Sequence, residues 1–291
     1  MNYLISNLKR ALRPLDIISL TLIIYCIIIL IIGWNIWVRP LYYLLGYLVI
    51  GIMILMLKMM KDKSRFVSFL RDWYPFFVFA FFFEASTHLN RLFFRDYLDP
   101  FFQQIDQLIF GYQPALVWGQ LLDGYFWQEL FHFGYFSFYV TIPGIAIYYY
   151  LKNRENFTRY VFVISFLFYC CYVIYIILPV IGGRFWETSL QLSTEYRYGI
   201  FTRIMAYIYN YTNHWGGAVP SSHVVASVGS TLYLLRNSRF SGYLLLPLSI
   251  ILIISTVYCH YHYFIDALTG MVAAVILFYA GNNLYGVLKN V

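Results

Sequence analysis

Apolar residues run along this chain in long blocks, broken by short stretches of charged and turn-forming residues. The blocks predict eight spans, at about 15–33, 41–57, 73–88, 129–151, 160–180, 220–235, 243–259 and 262–281. A helix needs roughly 20 apolar residues to cross the hydrocarbon core of a bilayer, and most of these blocks approach that length. None alternates with the period of two expected of a barrel strand, so all are read as helices, whose backbone groups are satisfied within the segment. The first block follows Lys9, Arg10 and Arg13 and ends at Gly33-Trp34 without a small-residue cleavage site, which favours a retained span over a signal peptide.

Two connectors carry a pattern of their own. Asp99 as N-cap, Pro100 at the first helical position, an apolar stripe of Phe101, Phe102, Ile105, Leu108 and Ile109, and Gly111 as C-cap predict a short helix lying in the membrane interface. Pro114 to Leu122 predicts a second such piece. In the segment 181–219, Ile200, Ile204 and Ile208 recur every four residues and predict a third. These pieces either simply join spans or form a lid over a site for lipid headgroups.

Composition agrees with a membrane setting. Of 291 residues, 61% are hydrophobic, 22% aromatic and 11% charged, where a soluble fold carries about 25% charged residues. Disordered chains, disulfide scaffolds and nucleic-acid modules are excluded as classes. The net charge of +7 matters through its placement, because cytoplasmic loops collect Lys and Arg. With the N-terminus inside, the inner loops hold Lys9, Arg10, Arg13, Lys58, Lys61, Lys63, Arg65, Arg71, Lys152, Arg154, Arg159, Arg236, Arg239 and Lys289. The outer loops hold only Arg39, Arg91, Arg95, Arg184, Arg197 and Arg203. Fourteen against six predicts both termini cytoplasmic, with segments 89–128, 181–219 and 260–261 outside. Cys26, Cys170, Cys171 and Cys259 lack framework spacing and are read as thiols.

Three polar clusters fall at the ends of late spans, all on the predicted outside. Arg184 follows Gly182-Gly183 just past the fifth span and offers a guanidinium fork for phosphate oxygens, or a plain headgroup anchor. Pro220-Ser221-Ser222-His223 opens the sixth span, where free backbone N–H groups and two hydroxyls suit an anion and His223 would stand beside it as a proton donor. Ser222, Ala226 and Ser230 continue below as a small-residue stripe. The third cluster is His260-Tyr261-His262-Tyr263-Phe264-Ile265-Asp266. On a helix His262 and Asp266 share a face, and the carboxylate would fix the imidazole tautomer, leaving the other nitrogen free as nucleophile or base. A merely structural pair is the plain alternative. His260 is read as interfacial.

Pro-Ser-Ser-His followed some forty residues later by His-x-x-x-Asp, with an upstream Arg, resembles the type 2 phosphatidic acid phosphatase superfamily of membrane phosphatases and phosphotransferases, which shares a helical core with vanadium haloperoxidases. The run from Thr256 to Asp266, with Asp106 to Gly111 and Pro114 upstream, looks most like its inositol phosphorylceramide synthase branch. The resemblance implies an all-α polytopic membrane bundle of about eight transmembrane helices with short interfacial helices. Residues 1–72 would supply two added N-terminal helices and a basic loop, and residues 73–291 a six-helix core. It implies that His262 attacks phosphorus to form a phosphohistidine, Asp266 orients it, His223 protonates the leaving group, and Arg184, Ser221 and Ser222 hold the phosphate. The substrate would be a phospholipid or other lipid phosphate, discharged to water or to an alcohol such as inositol.

This chain departs from the family pattern at Ile177 and Thr256, where basic residues are usual, and at Ser222, usually glycine. A preorganised donor can matter by about 3 kcal/mol, so fewer cations favour a phosphodiester-like substrate or transfer chemistry, unless Arg197 or Arg203 fills the gap. No metal or cofactor is expected, since the histidine run lacks a carboxylate cluster. The competing class is a non-enzymatic transporter or lipid-binding bundle with Glu84, His223 and Asp266 along a pathway. Glu84 is otherwise read as an ion pair with His88 and Arg91, and Asn210-Tyr211-Thr212 as a glycosylation sequon.

Overall fold

The computed structural model describes residues 12–60, 64–186, 199–211 and 215–290; Lys9, Arg10, Lys61, Lys63, Arg197 and Thr212 of the sequon lie outside them. The described residues form eleven α-helices: α1 Pro14–Ile32, α2 Pro40–Met59, α3 Arg65–His88, α4 Asp99–Phe110, α5 Pro114–Leu121, α6 Tyr125–Lys152, α7 Arg154–Ile177, α8 Ile200–Tyr211, α9 Ser222–Asn237, α10 Arg239–Tyr258 and α11 Phe264–Lys289. A 3-10 turn covers Gly183–Phe185. The four cysteines are free.

The long helices begin where the sequence offers a start. Pro14 and Pro40 open α1 and α2, whose fixed φ suits a first helical position. Ser64 caps α3 by accepting from the Val67 N–H, and Asn153 caps α7 by accepting from the Asn156 N–H. Gly111 ends α4 with φ +74°, as its sequence predicts. Asp99 behaves differently from expectation: Leu98 is the N-cap, and the Asp99 carboxylate turns away from its own helix.

Seven helices are long and apolar enough to cross a membrane: α1, α2, α3, α6, α7, α10 and α11. The expected eighth, α9, has 16 residues, about 24 Å of helix. It nevertheless runs between the same two ends, from Ser221 beside His262 to Tyr233, whose hydroxyl donates to the Asn156 carbonyl at 2.8 Å. It can be short and polar because it is enclosed by α6, α7, α10 and α11. Its hydroxyls are satisfied inside the bundle: Ser227 and Thr231 meet Ser249 at 2.9 and 2.6 Å, and Ser230 meets Tyr160 at 3.0 Å. Close packing is possible because Ala226 presents so little side chain.

The outer surface is apolar where lipid would lie. Ile24, Ile28 and Ile31 of α1, Val49, Ile52 and Met56 of α2, and Val272, Ile276 and Tyr279 of α11 are each at least half exposed. A soluble protein rarely shows such continuous apolar faces. The chain is a polytopic helix bundle.

The short helices lie at one end, and α4 presents its faces as an interfacial position requires. In α4 the buried face is Asp99, Phe102 and Asp106, while Leu108 of the apolar stripe is 85% exposed. In α8 the buried residues are Thr202 and Met205, while Ile200 is exposed. α4 therefore turns its acids inward and most of its apolar stripe outward, as an interfacial position demands, whereas α8 packs Met205 and Ile208 on the protein and leaves Ile200 and Arg203 exposed.

The opposite end gathers charge. Arg13 pairs with Asp16 at 3.1 Å and with Asp72 at 3.0 Å, Arg154 reaches the other oxygen of Asp72 at 2.7 Å, and Lys289 meets Glu155 at 2.7 Å. These contacts tie together the starts of α1, α3 and α7 and the end of α11, so the first and last helices begin and finish at one end. Asp16 is buried and also accepts from the Tyr74 hydroxyl, which joins a Ser19–Tyr169 contact inside the bundle. Removing one partner of a fully buried ion pair costs about 3–5 kcal/mol. Because Arg13 keeps Asp72, Asp16→Ala is expected to destabilise by about 2 kcal/mol, read as a lower thermal midpoint in detergent; an unchanged midpoint would show that the network carries no stability.

Candidate active site

At the end away from these ion pairs, three connectors are laced into one layer. The segment before the 3-10 turn lies beside the one before α9: Val180 and Gly217 form a parallel bridge, and the Ala218 N–H donates to the Val180 carbonyl at 2.9 Å. The Asp99 carboxylate, from α4, accepts the Ile181 N–H at 3.0 Å, the Gly182 N–H at 2.9 Å and the Tyr263 hydroxyl at 2.9 Å. Gly182 has φ +87°, and a Cβ on Gly183 would sit 2.6 Å from the His260 carbonyl oxygen. Glycine is required at both positions, one for its backbone angle and one for close approach. The layer delivers Arg184, whose guanidinium lies 3.9 Å above the centre of the Tyr209 ring and donates to the Tyr209 carbonyl at 3.4 Å.

Two more carboxylates organise the start of α11. Asp106 accepts the Phe264 N–H at 2.8 Å and the Ile265 N–H at 3.0 Å, taking two of the donors a helix start leaves open. Asp266 folds back to accept the Tyr263 N–H at 2.9 Å. His262 lies before the helix, not on one of its faces as the four-residue spacing suggests, yet its Nδ1 is 3.3 Å from Asp266 Oδ2. Its own N–H donates to the Thr256 carbonyl at 2.9 Å, and its Nε2 is 3.2 Å from Ser221 Oγ. With Nδ1–H donated to Asp266, Nε2 carries the lone pair.

His223 faces His262 from the first turn of α9, with ring centres 5.9 Å apart. Its ring packs against Tyr135 and Phe138 of α6. Ser221 is the N-cap of α9, accepting from the Val224 N–H, and its Oγ lies against the Nε2 of His262. The Ser222 N–H donates to the Tyr175 hydroxyl oxygen at 3.1 Å. The first turn of α9 is thus less open to an anion than its sequence suggests, because two of its N–H groups already have partners.

Burial sets the local electrostatics. It holds the His262 imidazole well below its ordinary titration range, with His223 and Arg184 acting in the same direction, so the ring is neutral. Burial also raises Asp99 and Asp106, opposed in each case by the N–H groups they accept.

Arg184, Ser222, His223 and His262 line one end of a cavity of about 550 Å³. Most of the remaining wall is apolar, with Phe76, Phe79, Ala80 and Phe83 from α3, Phe138 and Ile142 from α6 and Phe168 from α7, and it is completed by tyrosines that include Tyr135 and Tyr209. Among the described residues, Arg184 is the only cation lining it. Thr256 is buried and donates to the Ile253 carbonyl, and Ile177 ends α7 outside the cavity lining. Arg203 is exposed on α8 and does not line the cavity.

Other expectations change. His260 is buried rather than interfacial, with φ +61° and its Nδ1 on the Ala115 carbonyl. The expected Glu84 ion pair gives way to a bond between His88 Nδ1 and the Glu84 carbonyl at 2.9 Å, while Arg91 lies over the Tyr97 ring. Sequence reasoning missed the roles of Asp106, Tyr135 and Tyr209. The 99, 102, 106 spacing, one face of a helix, was a signal for Asp106; nothing distinguished the two tyrosines among the chain's 30.

The chain matches the family model of the PAP2 superfamily over residues 105–280, more than half its length, and it belongs to that superfamily. Neither the curated proteins nor the solved structures give a match. The matched span holds Arg184, the start of α9 and the His262–Asp266 turn. Membership gives the protein the character of a phosphoric-ester hydrolase or phosphotransferase.

Capping by Asp106 makes a direct prediction. Asp106→Ala leaves two N–H groups without their acceptor beside His262 and is expected to cost about 2 kcal/mol, with at least a tenfold loss of turnover. Thermal unfolding and a phosphate-release assay on the same detergent preparation check both.

Proposed function

We propose that this protein is a multi-pass membrane enzyme that moves the phosphoryl group of a lipid phosphate through a phosphohistidine at His262. The observation that carries the reading is a single cavity with two facing imidazoles and a guanidinium at one end and an aromatic, aliphatic body at the other, the shape of an amphiphile with a phosphate head. Nε2 of His262 attacks phosphorus, forming an N–P bond as the P–O bond to the leaving group breaks. The leaving oxygen takes a proton from His223. Asp266 stabilises the positive charge that develops on His262, and Arg184 and Ser222 hold the phosphoryl oxygens, with Ser221 steadying His262. Water or an alcohol then attacks phosphorus, passing its proton to His223, and frees His262.

The excess of Lys and Arg in the loops opposite the site supports both termini on the cytoplasmic side and the site on the extracytoplasmic face. A second reading rests on the lone lining cation. A phosphodiester carries less charge than a phosphomonoester and needs fewer cations, which supports transfer of a phospho-headgroup between lipid alcohols, with inositol as one candidate group, as in the inositol phosphorylceramide synthase branch.

The test uses purified full-length protein with a long-chain lipid phosphate. His262→Ala and His223→Ala are each expected to lose at least 100-fold in turnover, and phosphorus-labelled 4-nitrophenyl phosphate, whose phenolate leaves without a proton, should leave an acid-labile label on His223→Ala but none on His262→Ala. Wild-type turnover in both variants on every phosphoric ester tried would end the reading. Ala80→Trp, which fills the apolar body, is expected to raise KM for a long-chain phosphate about tenfold while leaving 4-nitrophenyl phosphate unchanged; equal effects on both would separate the apolar body from substrate binding.

A further inference from the structure

Beside His223, in the lining of the same cavity, lies a pair of tyrosines whose hydroxyls the scheme above does not use. The Tyr209 hydroxyl donates to the Tyr135 oxygen at 2.6 Å, and the Tyr135 oxygen is 3.1 Å from His223 Nε2 and 3.3 Å from Nδ1. When His223 carries the proton it is to give up, both its ring nitrogens are donors, so the Tyr135 oxygen accepts from the imidazole as well as from Tyr209. Tyr209 has a second contact, because its ring lies beneath the Arg184 guanidinium and stacks on Tyr261 with centroids 3.9 Å apart and planes 10° from parallel. Its helix, α8, is fixed to α6 by Glu129, which accepts the Phe201 N–H at 2.9 Å and the Thr202 N–H at 3.0 Å. One side chain on an interfacial helix thus touches the support of the phosphate-gripping guanidinium and, through one hydroxyl, the imidazole that faces the nucleophile.

We infer that Tyr135 and Tyr209 are positioning residues: their hydroxyl chain aims His223 at the leaving oxygen, while the Tyr209 ring separately holds Arg184 in place for the phosphate. The inference rests on the proposed role of His223 as proton donor. Physically, a half-buried imidazole flanked by aromatic rings has few other polar contacts to fix its rotation, and proton transfer needs hydrogen-bond geometry. A cation over a ring face is held by the ring's quadrupole, independently of the hydroxyl. The two functions of Tyr209 can therefore be separated by substitution.

The experiment compares two esters whose leaving groups differ: n-decyl phosphate, whose alkoxide must be protonated as it departs, and 4-nitrophenyl phosphate, whose phenolate leaves without help. Read in the single-turnover release of the leaving group, before the water step that also uses His223, Tyr135→Phe is expected to slow n-decyl phosphate about 30-fold with half-saturation within twofold, and 4-nitrophenyl phosphate less than threefold. Tyr209→Phe, which keeps the ring, should show the same selectivity at about fivefold. Tyr209→Leu should add a rise in KM of about tenfold on both esters, as Arg184 loses its support. A merely structural role would lower turnover of both esters alike, and that outcome in both Phe variants overturns the inference. His223→Ala assayed in parallel separates the two levels: wild-type activity on both esters would fail the proposed function itself, whereas a selective loss there with unselective Tyr variants overturns only the hydroxyl chain.

Discussion

Three buried carboxylates, Asp99, Asp106 and Asp266, hold backbone N–H groups in place of cations, and the geometry of the whole site end depends on them. Connectors between membrane helices carry unpaired donors, and each buried donor left without a partner costs about 1–3 kcal/mol. Here the donors of residues 181, 182, 263, 264 and 265 are taken up by side chains from α4 and from the start of α11. These bonds bring the glycine pair against the His260 turn, and so Arg184 and His262 are carried to the mouth of one cavity by connectors and not by long helices.

The two ends of the bundle solve the same problem with different chemistry. At one end cations meet carboxylates across helix starts, and Asp72 alone serves both Arg13 and Arg154. At the other, acids meet amides and leave the guanidinium of Arg184 resting on an aromatic ring. Between them α9 acts as a central post, short because it never has to face lipid. Its upper turn carries His223, and its lower end docks on the start of α7. The separation of charge along the axis keeps cation–carboxylate pairs away from the imidazoles.

Much of this was legible in the residues. Blocks of apolar sequence located seven long helices and the traverse of α9, the capping residues set several boundaries, and the Pro-Ser-Ser-His and His-x-x-x-Asp motifs led to a single cavity. The apolar stripe of α4 predicted a helix lying in the interface, and Phe101, Leu108 and Ile109 are exposed as that position requires. What could not be read was the work of the opposite face, where Asp99 and Asp106 hold the backbone of distant connectors. Local spacing also placed His262 on a helix with Asp266, whereas the helix begins two residues later and the contact is made by a side chain folding back over its end. The tyrosines around His223 left no trace in the sequence, since their role arises from the meeting of α6 and α8, far apart in the chain.

The outward apolar face of α4 has a practical consequence. Leu108 and Asp106 are two residues apart on one helix, one open to the surroundings and the other gripping the backbone just past His262. Whatever surfactant or native bilayer covers Leu108 therefore rests on the same short helix that caps the start of α11. The medium chosen to extract this protein is in that sense a neighbour of the cavity's supporting layer.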